Sequence, residues 1–319
     1  MCTAINLSAG DNYFGRNLDY EHDFGEKIVI TPRNYKFRFC DKTHYAMIGM
    51  ALPHGGYPLY FDATNEAGLS MAGLNFPDYA EYFDKDEGKT NIASFEIIPW
   101  VLSMCKNTTE AEMLLKNANI TNEAFADGMP PTPLHWIVGD KERTITVEQT
   151  KRGLCIYDNT VGVLANSPSF DMHMVNLANY MNLTNAEPKN SFSDKISIKP
   201  YSRGMGGIGL PGDLSSMSRF VRAAFVKLNS IFGENEEEKV RQFFHILNSV
   251  YQVRGSAKVG DGYEITNYTS CCNADRGIYY YATYYNGRIN GVDMNKENLD
   301  DEKIIVYDLI DSEKINIQN

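Results

Sequence analysis

The first third of the chain reads as strands. A short run from Cys2 to Leu7 is followed by the turn signal Ser8-Ala9-Gly10-Asp11-Asn12 and then by Tyr13 to Asn17. Two such runs around a Gly/Asn/Asp turn predict a β-hairpin. In an antiparallel pair the end of the second strand returns beside the first residue. Arg16 and Asp19 are thereby placed near Cys2. Further strands are expected over Lys27 to Thr31, Tyr45 to Ala51, Tyr57 to Thr64 and Leu69 to Leu74, separated by Gly, Pro and Asn clusters.

The period then changes. Ile97 to Cys105 is an apolar run with Pro99 fitting a first helical turn. Thr109-Glu110-Ala111-Glu112 has capping-box spacing ahead of Met113 to Lys116. Strands are expected again at Leu134 to Val138, Thr144 to Gln149, Leu154 to Tyr157 and Val161 to Leu164. Three helical faces follow, carried by Phe170, Met174, Leu177, Ala178 and Met181, by Phe220, Ala223, Ala224 and Leu228, and by Val240, Phe243, Phe244, Leu247 and Tyr251. The polar, Gly-rich stretch from Glu187 to Gly212 reads as a long loop of the kind that carries function. The C-terminal part returns to strands: Tyr268 to Cys272, Ile278 to Tyr284, Arg288 to Val292 and Ile304 to Leu309. Asn286-Gly287 is a hairpin signal between the middle two. Strands, then helices, then strands, with no linker or repeat, argue for one α+β domain over residues 1–319.

Composition narrows the function. The 319 residues are 43% hydrophobic and 22% charged, a globular balance that can bury a large core without staples. The 20 Tyr and 16 Phe suit a sheet-rich interior. A formal net charge of -11 argues against a phosphate-backbone partner, which needs a basic footprint. No stretch is long and apolar enough to span a membrane, and the amino end lacks the pattern of a secretory signal. The six cysteines are scattered, and none forms a Cys-x-x-Cys pair. A reduced, cytoplasmic chain without a zinc site is therefore expected.

Cys2 is the candidate of most chemical interest. On position alone it can also be a small hydrophobe of a buried edge strand. If Met1 is removed, however, one residue carries both a thiol and an α-amine. Their ordinary pKa values are about 8.5 and about 7.7–8.0. Such an amine is a serviceable base for the nucleophile of its own residue, directly or through a water. Arg16 would favour the thiolate and Asp19 could orient the amine, although both could equally form a surface ion pair. Asn166 precedes Ser-Pro, a turn signal. Ser215 and Ser216 read as helix caps that would put Arg219 in an early helical turn.

Several stretches together resemble the choloylglycine hydrolases, the family of bile salt hydrolases and penicillin V acylases. They are Met1-Cys2-Thr3, Phe14-Gly15-Arg16-Asn17-Leu18-Asp19, Ala72-Gly73-Leu74-Asn75-Phe76-Pro77, Leu134-His135-Trp136, Val147-Glu148-Gln149-Thr150, Asn166-Ser167-Pro168, Gly209-Leu210-Pro211-Gly212-Asp213, Ser218-Arg219-Phe220 and Asp293-Met294-Asn295-Lys296-Glu297-Asn298-Leu299. Each is weak alone; their order and spacing carry the resemblance nearly end to end. It implies an N-terminal-nucleophile fold, a four-layer αββα sandwich of two antiparallel sheets, and a homotetramer. It implies Cys2 as nucleophile, Arg16 and Asp19 beside its thiol and amine, Asn75 and Asn166 as oxyanion donors, and Arg219 as a catalytic-site arginine. It implies no metal or organic cofactor. Ala165 departs from the hydroxyl residue of some relatives.

Asparagine at position 75 resembles the bile salt hydrolases, where tyrosine would resemble the penicillin acylases. The expected substrate is a glycine- or taurine-conjugated bile salt. Met47, Tyr57, Phe61, Leu134 and Met205 are candidates for a steroid wall, and Arg203 for the taurine or glycine anion. The alternatives are the same chemistry on penicillin V or an acyl homoserine lactone, a Cys–His hydrolase using His135 or His245, and an inactive ligand-binding homologue.

Overall fold

The computed structural model describes residues 1–319. The opening hairpin forms as expected from the sequence. Strands β1 (Cys2–Ala9) and β2 (Asp11–Tyr20) pair antiparallel, from Cys2 opposite Leu18 to Ala9 opposite Asp11. Gly10 makes the turn at φ +86°, a left-handed conformation open to glycine without steric cost. The meander β3 (Lys27–Thr31), β4 (Met47–His54), β5 (Tyr57–Asn65) and β6 (Ser70–Asn75) follows. A short parallel pair, β7 (Thr90–Ala93) and β8 (Ala118–Thr121), brackets helices α1 (Ile97–Met104) and α2 (Thr108–Leu115). Next come β9 (Leu134–Gly139), β10 (Thr144–Thr150), β11 (Gly153–Asp158) and β12 (Val163–Leu164). Helices α3 (Phe170–Leu177), α4 (Ser216–Asn229) and α5 (Glu236–Asn248) precede a small hairpin, β13 (Lys258–Val259) and β14 (Gly262–Tyr263). The last strands are β15 (Ile265–Asn273), β16 (Ile278–Thr283), β17 (Asn290–Asp293) and β18 (Ile305–Tyr307).

Two antiparallel sheets result. One has six strands in the order β12-β1-β2-β15-β16-β17, the other eight in the order β11-β10-β9-β6-β5-β4-β3-β18. Period-two alternation makes each sheet apolar on both faces. Along β4, Met47 and Ala51 pack against Trp100, Val101 and Leu115 of α1 and α2, while Ile48 and Met50 face the six-stranded sheet. The outer face of the six-stranded sheet is covered by Phe220 and Ala223 of α4 and by Phe243 and Leu247 of α5. The layers are thus helix, sheet, sheet, helix. Full burial of each large apolar side chain contributes about 1.5–3 kcal/mol, and the two clusters hold 35 and 24 buried residues, enough to fix both faces of each sheet. Gly15 lies where β15 approaches most closely: a Cβ there would sit 2.0 Å from the Ser270 carbonyl oxygen. No helix is long and apolar enough to cross a membrane.

Three local expectations are corrected. Helix α2 is capped by Asn107, whose side chain accepts from the Glu110 N–H, so Thr109 lies inside the helix and not at its cap. Ser215 stands at the N-cap of α4 but makes no capping bond, and the Ser216 hydroxyl instead accepts from the Asn166 N–H at 2.8 Å. Asn286-Gly287 is not a two-residue hairpin turn. The paired residues nearest the connection are Tyr281 and Asn290, and neither Asn286 nor Gly287 takes the positive φ that such a turn requires.

Candidate active site

Register decides which side chains meet. Cys2 lies opposite Leu18 and Ala4 opposite Arg16, and directly opposed residues share a face. Cys2, Arg16, Leu18 and Tyr20 therefore look into one cavity, between the two sheets. Thr3, Asn17 and Asp19 look the other way, toward α4 and α5: Asn17 donates to the Leu247 carbonyl at 3.0 Å, and Thr3 Oγ1 accepts from Arg219 at 2.6 Å. Thiol and carboxylate are thus close in sequence but on opposite faces.

Arg16 is 1% exposed. Its guanidinium donates to the carbonyls of Phe61, at 3.1 Å, and of Gly73. Burial opposes its charge, but the sulfur of Cys2, with Tyr268 and the carboxylates of Asp62 and Asp19, outweighs burial and raises its pKa. Asp62 sits beneath, accepting from Tyr268 at 2.8 Å and Tyr279 at 2.6 Å. Burial raises its pKa, and Arg16 works against that rise.

Strand β12 stops at Leu164, opposite Ala4, so no strand flanks Cys2 on that side. The Asn166 side chain takes the vacant place. Its Oδ1 accepts from Cys2 N at 2.7 Å and from Arg219 Nη2 at 2.7 Å, while Nδ2 donates to the Asn75 carbonyl at 2.7 Å. Asn75, at the end of β6, lines the cavity. Arg219 is wholly buried on α4. It donates to the carbonyls of Cys2 and Leu214 and lies 3.9 Å from Asp19 Oδ2. Asp19 Oδ1 accepts from Thr266 at 2.6 Å, but its Oδ2 has no hydrogen-bond partner. Burial raises the Asp19 pKa, with Arg219 the chief opposing influence. All six residues expected from the sequence therefore gather around one point: Arg16 and Asn75 on the sulfur side, and Asp19, Asn166 and Arg219 on the nitrogen side.

The cavity measures about 370 Å³, and 12 of its 19 lining residues are hydrophobic, among them Leu52, Leu59, Phe95 and Met129. That is within the range for small-molecule sites. A larger groove of about 460 Å³, bounded by Glu21, Asp23, Arg254 and Asp308, holds neither the thiol nor the asparagines. Chemistry therefore favours the smaller, more apolar one.

Of the expected wall residues, Phe61 and Leu134 line the cavity. The other four do not. Met47 points into the helix-covered face of its sheet, because its position in β4 alternates away from the cavity. Tyr57 stands one ring behind, 6.4 Å from Phe95 and 5.6 Å from Phe125 by centroid, and donates to Glu96 at 2.9 Å. Arg203 and Met205 belong to the 187–212 loop, where Met205 Sδ accepts from the Tyr201 N–H; neither reaches the cavity. Leu18 and Tyr20 were missed, although period two from Arg16 would have found them. Phe125, Met129 and Pro130 come from a loop with no sequence signal.

Neither histidine raised as a base lines the cavity. His135 is fully buried with Nδ1 on Glu148, at 3.0 Å, and Nε2 on the Ala165 carbonyl, at 2.9 Å. His245 lies on the solvent face of α5. A third, His173, is held neutral. Burial pushes its pKa down to about 4, against the hydrogen bond from its Nε2 to the Asn166 carbonyl. The unfolded chain takes up that proton near pH 6.5. The stability linked to His173 is therefore complete above about pH 6.5 and lost as pH falls toward 4, at about 1.4 kcal/mol per unit. Urea melts at pH 7 and 5 are expected to show the native chain losing roughly 2 kcal/mol more than a His173→Asn variant.

Residues 2–307 match the linear amide C–N hydrolases of the choloylglycine hydrolase family. The chain belongs to the choloylglycine hydrolase family. It is 52% identical to a bile salt hydrolase/transferase of Lactiplantibacillus plantarum, covering 97% of each chain. It is 43% identical to the bile salt hydrolase/transferase of Clostridium perfringens, covering 96% of each. Its structure superposes on a crystallised variant of the C. perfringens conjugated bile acid hydrolase with a TM-score of 0.91, at 42% identity over 100% of both chains. A penicillin V acylase from Agrobacterium tumefaciens has the same fold, with a TM-score of 0.75 at 21% identity over 97% of this chain and 91% of that one.

In this choloylglycine hydrolase one wall of the cavity is braced from outside. The Arg38 guanidinium lies 4.3 Å from the ring centroid of Phe125, 5.1 Å from Tyr57 and 5.5 Å from Phe95. Phe95 and Phe125 touch Arg38 and also line the cavity. An exposed cation–π contact is worth about 0.5–1 kcal/mol. Arg38→Leu is expected to raise KM for a bulky acyl amide about two- to fivefold with kcat little changed, which steady-state kinetics would measure.

Proposed function

We propose that the chain hydrolyses conjugated bile salts at the amide bond joining the steroid carboxyl to glycine or taurine. The observation that carries this reading is Cys2 in the wall of an apolar cavity that Arg16 and Asn75 also line. Full-length similarity to bile salt hydrolase/transferases supports the substrate class.

In the proposed mechanism Met1 is removed. Its carbonyl accepts from Asp19 N at 2.8 Å, so its departure frees a donor beside a carboxylate oxygen that lacks a partner. The new Cys2 ammonium would supply that partner. The amine, once neutral, takes the thiol proton, directly or through a water, and sulfur attacks the amide carbon. Negative charge builds on the carbonyl oxygen. The Asn75 amide and neighbouring backbone N–H groups stabilise it, each such donor contributing roughly 3–4 kcal/mol. The α-ammonium then protonates the leaving nitrogen, and glycine or taurine departs. Water attacks the thioester with the α-amine again as base, releasing bile acid and restoring the thiol. An amine could take the place of water, in keeping with the second half of the relatives' name. This scheme uses no metal or cofactor.

We also infer a cytoplasmic homotetramer. Support for assembly comes from exposed apolar side chains on residues 172–208, among them Met172, Val175, Met181, Phe192 and Ile208. Light scattering would measure the mass in solution.

The decisive assay compares taurocholate with penicillin V, using protein whose intact mass shows Met1 gone. Taurocholate is expected to be cleaved with kcat/KM roughly tenfold or more above penicillin V. The reverse order would overturn the bile salt reading.

A further inference from the structure

Two buried histidines hold consecutive carbonyls of the segment that carries Asn166. His135 Nε2 meets the Ala165 carbonyl at 2.9 Å, and His173 Nε2 meets the Asn166 carbonyl at 2.8 Å. Both rings are 0% exposed. A carbonyl oxygen only accepts, so each Nε2 must carry a proton, and the two tautomers are fixed by their partners. The rings are fixed as well. Phe76 stacks on His135 with centroids 4.2 Å apart and planes at 7°, and Phe220 lies 4.7 Å from His173 at 29°.

Glu148 completes the arrangement. Its Oε1 lies 3.0 Å from His135 Nδ1 and accepts from Phe170 N at 3.0 Å. The Glu148 contact lies at Nδ1, on the side of the ring away from Nε2, and holds the ring in the orientation that the bond to Ala165 needs. The Asn166 N–H is bound in turn by Ser216 Oγ at 2.8 Å. Both peptide units flanking the Asn166 α-carbon are thereby pinned.

Packing alone does not require this. A buried ion pair is often no more stable than well-packed apolar residues of the same volume. One fully buried polar atom, Glu148 Oε2, is also left without a partner. Such an orphan asks for a functional reason. The nearest is the Asn166 side chain, whose Oδ1 accepts from Cys2 N, the atom that becomes the catalytic amine in the proposed mechanism.

We propose that His135, Glu148 and His173 are positioning residues, a double clamp on Asn166 that sets the direction of the Cys2 α-amine. This rests on the amidase mechanism above but not on the identity of the acyl group. The clamp acts on the chemical step and leaves the apolar cavity alone, so its loss should lower kcat and spare KM. A misplacement of about 1 Å in such an atom can cost on the order of 10²-fold in rate.

The test uses His173→Leu, which removes the donor, and His173→Gln, whose side-chain amide can reach the same carbonyl. Each is assayed in the Met1-free enzyme, well below its melting temperature. His173→Leu is expected to lower kcat about 10- to 100-fold with KM within about threefold, and His173→Gln to recover most of the loss. His135→Leu and His135→Gln should repeat the pattern. The clamp is overturned if the Leu variants keep kcat within about threefold of native, or if Gln and Leu variants fall equally. Should the native enzyme cleave penicillin V but no bile conjugate, the substrate reading fails, and the same kcat ratios on penicillin V still decide the clamp.

Discussion

Cys2→Ala is expected to lower kcat for conjugated bile salts by a factor on the order of 10⁴ or more, with binding of the steroid nearly unchanged. The sulfur is the only nucleophile in the cavity wall that has a cation beside it. Without it no thioester forms, and water must attack unaided. The remaining oxyanion donors and cavity still bind substrate, which is why KM or product affinity should hold. Stability should hold too, because one small buried atom is lost from a large core. The measurement is a paired one: taurine release by the purified variant, and calorimetric binding of cholate to it. Release near the native rate would remove the thiol from the mechanism, whatever the family.

Arg219→Leu is the second large effect, and it should appear in both activity and stability. Arg219 has no exposed surface, and its guanidinium binds Cys2 O, Thr3 Oγ1 and Asn166 Oδ1. It is also the chief influence holding down the pKa of Asp19. Removing it leaves a buried carboxylate uncompensated, at a cost of about 3–5 kcal/mol. The sign of the pH dependence follows from linkage. The Asp19 pKa is already raised above its unfolded value by burial, and loss of Arg219 raises it further. The folded variant then binds a proton that the unfolded chain has released, so stability falls as pH rises. The deficit against native should be larger at pH 8 than at pH 5 in chemical denaturation. Arg219→Leu combined with Asp19→Asn should recover most of the stability without recovering turnover. A deficit that does not depend on pH would mean that Asp19 is not the group left exposed to the loss.

Much of this was legible in the residues because the hairpin is local. Cys2, Arg16 and Asp19 lie within one turn-linked pair of strands, so period and turn chemistry alone brought them together. Asn75, Asn166 and Arg219 come from β6, the segment after β12, and α4. Only the family resemblance pointed to them. The cavity wall was largely illegible. An apolar residue on a strand buried on both faces gives no sign of which face it takes, and Met47 fell on the wrong one. A long polar loop is often functional, but no residue of the loop that carries Arg203 and Met205 lines the cavity. The histidine clamp was hidden for another reason. In sequence His135 is an apolar-strand residue like its neighbours, and only the fold shows that both of its nitrogens are used.

The register of the first hairpin has a consequence for how such enzymes diversify. Sulfur and α-nitrogen belong to one residue, yet the strand sends them into separate environments, one greasy and one densely hydrogen-bonded beneath a helix. Loops above the eight-stranded sheet can be remodelled to admit a different acyl group without disturbing the bonds that hold the α-nitrogen. Selectivity and reactivity can drift independently because a single β-strand stands between them.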